Sequence, residues 1–244
     1  PSGTAAHLNA VSCGADGACY AVGNAGTILR LQAGAWSAMP SPTAVDLKAV
    51  MGTPEGAIFA AGKGGTTLRL QGGAWSTMPA GTQADLNSLW GCACTGMYAA
   101  GNGGTILRLQ AGRWTKMKAD TVADLKCLWG TADGGLFAVG NGGTVLRLQQ
   151  GVWQPVNSGV PSNLNLLAIW GTFDSGMFAG GDSGTILKLQ NGSWVPMSSG
   201  TGANITSIRG CSSGVYAAGG KGYILRLIES GTPVQLPTQA GAGQ

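Results

Sequence analysis

The chain has 244 residues, 44 of them Gly, with 10% charged residues and a net charge of +4 at pH 7. That much glycine without a Gly-X-Y period excludes collagen and points to many turns, and an apolar fraction of 44% excludes a disordered polyelectrolyte. No run reaches the roughly 18 apolar residues of a membrane helix, and the sparse basic residues lack the clustered face of a nucleic-acid binder, so no nucleic-acid partner is expected.

The chain opens inside a linker. Pro1-Ser2-Gly3-Thr4-Ala5-Ala6-His7-Leu8 matches Pro79-Ala80-Gly81-Thr82-Gln83-Ala84-Asp85-Leu86 position for position, which points to residues ahead of Pro1. Six units then follow one template, with boundaries near 5–43, 44–82, 83–121, 122–161, 162–201 and 202–237, and a loose tail over 238–244. Thr27, Thr66, Thr105, Thr144 and Thr185 mark one position, with Tyr223 in the last copy. A period near 40 residues means a solenoid or a propeller.

Each unit reads as four strands, A to D. Strand A is Leu47-Lys48-Ala49-Val50-Met51 or Leu125-Lys126-Cys127-Leu128-Trp129, and its third position is always small: Ala10, Ala49, Ser88, Cys127, Ala168 and Ser207. The A–B turn carries Asp-Gly or its relatives (Asp16-Gly17, Asp133-Gly134, Ser213-Gly214). The B–C turn carries pairs such as Asn24-Ala25, Asn102-Gly103 and Lys221-Gly222, read as two-residue hairpin turns with both residues at positive φ. Strand D carries Trp36, Trp75, Trp114, Trp153 and Trp194, one indole per unit, expected to pack between neighbouring units. In the sixth unit Pro233-Val234 stand where that Trp belongs. A lone four-stranded meander is marginal, whereas stacked radially six of them bury their faces. The predicted fold is therefore a single all-β, six-bladed β-propeller domain over 1–244, each blade a four-stranded antiparallel meander.

The run Ala-Val-Gly-x-x-Gly-Thr-Ile-Leu followed by Gly-x-Trp resembles the bacterial neuraminidase repeats and the photosystem II assembly factor type of propeller repeat. The resemblance covers roughly residues 5–237 and implies a propeller fold without fixing an activity. The Ser-x-Asp-x-Gly-x-Thr-Trp box of sialidase-like repeats is reduced here to Gln32-Ala33-Gly34-Ala35-Trp36, without the Asp. The Trp-Gly pairs of three blades are similar to those of tectonin-like lectin propellers.

No catalytic constellation can be assembled. The one histidine, His7, occupies a slot held elsewhere by Asp46, Asp85, Asp124, Asn165 and Asn204, and is read as a turn residue. The acids, such as Asp16, Glu55, Asp133 and Asp174, scatter over turns. Nothing matches a nucleophile elbow, a phosphate loop or a metal-ligand pattern, so neither cofactor nor metal is expected.

Cys13 and Cys19 flank the first A–B turn and can face each other across the hairpin, so a disulfide is predicted, implying an oxidising compartment. The pairing of Cys92, Cys94, Cys127 and Cys211 stays open; Cys127, in the small-residue slot, reads as a buried thiol. A basic ladder, Arg30, Arg69, Arg108, Arg147, Lys188 and Arg226, holds one strand-C position in every blade. It could bind an anionic polymer; the plainer reading packs each stem between blades with its head on a carbonyl or the pre-strand Asp. Arg113, Lys116 and Lys118 blunt an outer edge.

The strand-A exit position varies most: Ser12, Met51, Trp90, Trp129, Trp170 and Arg209. If the indoles reach the surface they form a stacking platform for a sugar or peptide; if they turn inward they are core, which is the plainer reading. Together these features predict a non-catalytic, extracytoplasmic binding or assembly module that engages a protein or surface glycan through loops at one end. The alternatives are a lectin using Met51, Trp90, Trp129, Trp170 and Arg209, or a glycan-active propeller hydrolase or lyase.

Overall fold

The computed structural model describes residues 1–92, 96–131, 135–172, 176–211, 213–227 and 234–235. Asp133, Asp174, Cys94 and Pro233 lie outside these residues, as does the tail. The strands form six sheets of four, each hydrogen-bonded in sequence order, so the fold is the all-β, six-bladed propeller class predicted from the period. The chain divides into two compact units, Pro1–Leu128 and Trp129–Gln244.

The first unit contains three blades. The first blade has β1 (Leu8–Cys13), β2 (Cys19–Gly23), β3 (Ile28–Gln32) and β4 (Ala35–Ala38). The second has β5 (Leu47–Gly52), β6 (Ile58–Gly62), β7 (Thr67–Gln71) and β8 (Ala74–Met78). The third has β9 (Leu86–Cys92), β10 (Gly96–Gly101), β11 (Ile106–Gln110) and β12 (Arg113–Met117). The core lies between blades. Tyr20, Val22 and Ile28 of the first meet Leu47, Ile58, Leu68 and Trp75 of the second. The Trp75 indole stands edge-on to Tyr20, centroids 6.1 Å apart at 84°. This burial drives the stacking, at about 25 cal/mol per Å² of apolar surface.

The fourth blade opens with β13 (Leu125–Gly130), which crosses the division between the units. The second unit continues with β14 (Leu136–Gly140), β15 (Val145–Gln149) and β16 (Val152–Val156). The fifth blade has β17 (Leu166–Thr172), β18 (Gly176–Gly181), β19 (Ile186–Gln190) and β20 (Ser193–Met197). The sixth has β21 (Ile205–Cys211), β22 (Gly214–Gly219), β23 (Ile224–Leu227) and β24 (Val234–Gln235), a two-residue strand where the template Trp is missing. The same packing recurs, with Trp194 edge-on to Phe137 at 6.1 Å. Phe178 and Ile186 of the fifth blade lie against Ile205, Ile208 and Leu225 of the sixth.

The first five B–C turns differ from expectation by one residue. Positive φ falls there on the second and third turn residues, such as Ala25 (52°) and Gly26 (71°), and not on the leading Asn24, whereas in the sixth the pair Lys221 (57°) and Gly222 (73°) both carry it as expected. The reason is a close approach. A Cβ on Gly104 (φ 67°) would come within 2.0 Å of the Thr121 carbonyl oxygen, so the linker entering the next blade fits only against glycine. The leading residue keeps its carbonyl for the template Thr, as when Thr27 donates through both N and Oγ1 to Asn24 O, at 3.1 and 2.7 Å.

Strand A carries an irregularity at its second residue, between Leu8 and Ala10, Leu47 and Ala49, Leu166 and Ala168, and Ile205 and Ser207. Such a bulge re-aims a side chain. Asn9 donates to Leu47 O at 2.8 Å and Asn87 to Leu125 O at 2.8 Å, each tying one blade to the next. Lys48 reaches Asp85 (2.9 Å) and Asn87 (3.0 Å).

The pre-strand slot is a clasp, and not only a turn position. Asp46, Asp85 and Asp124 each accept, through Oδ1, the N–H of the second turn residue of the blade before, from Ala25, Gly64 and Gly103 at 2.9, 2.9 and 3.0 Å. In the second unit Asn165 and Asn204 do the same for Gly142 and Ser183, at 3.1 and 3.0 Å.

Candidate functional site

The exit end of strand A gathers the variable residues in rows across the sheets. In the second blade Met51 pairs with Phe59, and Phe59 with Arg69. In the third, Trp90 pairs with Tyr98 and Tyr98 with Arg108. In the fifth, Trp170 pairs with Phe178 and Phe178 with Lys188. Each row is thus a variable residue, a strand-B aromatic and a cation on one face of a sheet.

This register explains the basic ladder. Arg30 lies over Tyr20 at 5.9 Å, Arg69 over Phe59 at 5.8 Å, Arg108 over Tyr98 at 5.6 Å, Arg147 over Phe137 at 5.4 Å and Lys188 over Phe178 at 5.6 Å. A cation over an aromatic face is attracted by the ring quadrupole. The stacking partner is therefore the aromatic of the same blade, where the sequence suggested a carbonyl or the pre-strand Asp. Arg226, in the atypical blade, instead donates Nη2 to Ser213 O at 2.9 Å. Burial also pushes the Tyr98 phenol up, against the opposing pull of Arg108.

Trp90 and Trp170 are each 7% exposed, which places them in the sheet interior. Trp129 is half-buried, and its Nε1–H donates to Gly171 O at 2.7 Å. Its ring lies 6.0 Å from Trp170, tilted by 41°, and the Arg209 guanidinium sits 5.6 Å over it. Arg209 itself is anchored by donating Nη1 to Ile208 O at 2.8 Å. A Cβ on Gly210 would meet the Trp170 ring at 2.0 Å, so the glycine after the variable position, here in Arg209-Gly210, has a packing cause in the sixth blade.

At the same end of the first unit, a groove of about 520 Å³ opens between the second and third blades. Phe59, Met97 and Leu109 form its apolar wall, with Glu55 and Arg69 as its charged groups. The Arg69 Nε is buried and has no hydrogen-bond partner among the described residues. Sequence reasoning placed Arg69 on the ladder and missed the groove, because the groove depends on how two blades meet.

The disulfide joins Cys13 and Cys19, a directly opposed pair of β1 and β2, with Cα atoms 3.9 Å apart. Cys92 is also disulfide-bonded. Cys127 is a half-buried thiol that donates to Leu128 O at 3.7 Å, and Cys211 an exposed one whose pKa the Ser213 hydroxyl lowers. His7 is exposed, and its carbonyl accepts from Asn24 N at 2.9 Å. Among the described residues no group of His, Cys, Asp and Glu could hold a metal ion, and no helix is long and apolar enough to cross a membrane.

No protein-family model matches the sequence, and no curated protein matches it. Solved structures do match in fold. YCF48 bound to D1 peptide aligns with TM-score 0.75 at 18% identity, over 96% of this chain and 82% of that one. YCF48 from Cyanidioschyzon merolae aligns with TM-score 0.74 at 15% identity, over 97% and 87%. The extracellular domain of a putative hybrid two-component system, BT4673 from B. thetaiotaomicron, aligns with TM-score 0.78 at 11% identity, over 98% and 34%. At such identities the likeness is one of fold, the β-propeller.

Proposed function

We propose that this chain is a non-catalytic binding module that takes an extended protein segment in the groove between its second and third blades. The observation that carries this reading is the groove itself, with an apolar wall from Phe59, Met97 and Leu109 and a cation, Arg69, in its lining. A guanidinium there favours a carboxylate, with which it forms charge-assisted bonds. The fitting partner is a segment with an acidic side chain beside apolar ones. A propeller solved with a bound peptide supports the class of partner, as fold-level analogy.

A glycan partner is the weaker reading, because a sugar platform needs open indole faces and two of the three indoles are buried. A nucleic-acid partner is disfavoured, since five of the six ladder cations lie over aromatics in place of forming a free basic face. The Cys13–Cys19 disulfide supports an extracytoplasmic location. The test is selection of a random peptide library on the protein. Enrichment of peptides with a carboxylate flanked by apolar residues supports the reading; enrichment of none, with turnover of a glycan substrate, sinks it.

A further inference from the structure

The outermost strand of each sheet presents main-chain groups that the sheet itself leaves unpaired. In the second blade the turn Gly72-Gly73 (φ 58° and 80°) joins Gln71 to Ala74, and a two-residue turn of this kind closes on a hydrogen-bonded pair. Bonded pairs alternate along an antiparallel ladder, so Gln71–Ala74, Arg69–Ser76 and Thr67–Met78 exchange their bonds. Trp75 and Thr77, the residues between, turn their N–H and C=O groups outward. The first blade shows the same alternation, with Met39 N donating to Ile28 O at 2.9 Å.

The turns Ala33-Gly34, Ala111-Gly112, Gln150-Gly151 and Asn191-Gly192 set the same register in the other blades, all at positive φ. The outward position that Thr77 holds opposite Leu68 is therefore Ala38 in the first blade, Lys116 in the third, Pro155 in the fourth and Pro196 in the fifth. Proline there has no N–H to offer, and lysine sets a charge on the edge; both oppose strand addition. The edge strand of the sixth blade is cut to two residues, Val234–Gln235. The first and second blades carry no such block. Of these two open edges β8 is the longer, with five residues against four in β4. Its Ala74, Ser76 and Thr77 are exposed and uncharged, and a pocket of about 490 Å³, lined by Met78, Pro79, Ala80 and Thr82 among others, opens where it ends.

We propose that β8 is the docking site for an extended, uncharged, proline-free segment of a partner protein, which adds to the second blade as a fifth strand. Main-chain bonds to Trp75 and Thr77 hold the segment, a β-branched residue suits the place opposite Thr77, and the end of the segment reaches the pocket beyond Met78. The site is separate from the groove, to whose lining β8 contributes no residue. A second copy of this chain is the lesser fit. Five residues of strand span about 17 Å, which gives two rigid copies far less than the roughly 1,200 Å² of a stable interface. A flexible segment can follow the edge and enter the pocket as well.

The experiment selects a random peptide library on the Arg69→Met protein, which lacks the cation of the groove, so the outcome does not depend on the groove. Selected peptides are titrated into Arg69→Met and into Arg69→Met with Thr77→Pro. Proline suits that position, since Pro155 and Pro196 hold it in sister blades. The Kd is expected to weaken about tenfold in the proline variant, with the melting temperature nearly unchanged. Without any change on β8, hydrogen exchange of the Trp75 and Thr77 amides is expected to slow when peptide binds, while that of Ser76, paired with Arg69, stays as it is. Enrichment of no peptide, equal Kd in both proteins, or unchanged exchange at Thr77 overturns the proposal. Loss of binding in Ala38→Pro with binding kept in Thr77→Pro assigns the segment to the first blade and overturns it too. Slowing of the same amides with protein concentration alone assigns the edge to a second copy, against the proposal.

Discussion

The carboxylate of Asp85 accepts the N–H of Gly64 at 2.9 Å, reaching from the entry of the third blade to the B–C turn of the second. The bond from Gly64, and then that from Lys48, holds the Asp85 carboxyl below the usual carboxylate range. Gly103 lowers Asp124 in the same way, and Lys63, followed by Ala25, lowers Asp46. A carboxylate depressed by folding adds stability above its unfolded pKa of about 3.9 and loses it as pH falls through the folded value. The protein is therefore expected to lose stability below about pH 4, and the combined Asp46→Asn, Asp85→Asn, Asp124→Asn variant to lose less over that window. Asn retains the acceptor oxygen, as Asn165 and Asn204 already do. Thermal melts from pH 7 to pH 3 read the difference.

Removing the acceptor altogether gives a separate outcome. Asp85→Ala leaves the Gly64 N–H without its partner and is expected to cost about 1 kcal/mol, a fall of about 2–4 °C in melting temperature for a chain of this size. Equal melting of Asp85→Ala and wild type would deny the clasp a structural role.

The strand-D tryptophans are expected to differ by blade. Trp75→Ala, at a site 7% exposed and packed on Tyr20, should cost about 3–5 kcal/mol. Trp36→Ala, at a half-buried site, should cost clearly less. Urea unfolding of the two variants gives the comparison, and equal costs would show that the two indoles are equally covered.

Two adjacent glycines separate backbone conformation from close approach. Gly103→Ala places a methyl in open space at φ 61°, a conformation Ala25 already adopts in the first blade, and is expected to cost about 1 kcal/mol. Gly104→Ala drives its Cβ into the Thr121 carbonyl and should cost several times more. Denaturation midpoints of the pair check the ranking.

Period, small slots and turn residues made the six meanders legible, since they repeat in sequence what the sheets repeat in space. The opposition of Cys13 and Cys19 was legible because a five-residue turn fixes the hairpin. The one-residue shift of the B–C turn was not, because its cause, the Thr121 carbonyl, belongs to the linker ahead of the next blade. The cation stacking needed the register that sets Arg69 opposite Phe59. The clasp had a signal in plain view, an Asp or Asn in five of the six copies, but its partner lies in the preceding blade.

Trp129 separates the protein-binding reading from the lectin reading. Its indole N–H is committed to Gly171 O and its ring is covered by Arg209. Trp129→Ala is therefore expected to lower the melting temperature while leaving peptide affinity unchanged. A glycan array that lights up for wild type and goes dark for a stably folded Trp129→Ala would favour the lectin.

The most direct test titrates a library-selected acidic peptide into wild type and into Arg69→Met, which keeps a stem over Phe59 but removes the charge. Losing a charge-assisted bond of about 1.5–3 kcal/mol predicts that Kd weakens tenfold or more, with the melting temperature nearly unchanged. The same Kd in both proteins would contradict binding in the groove.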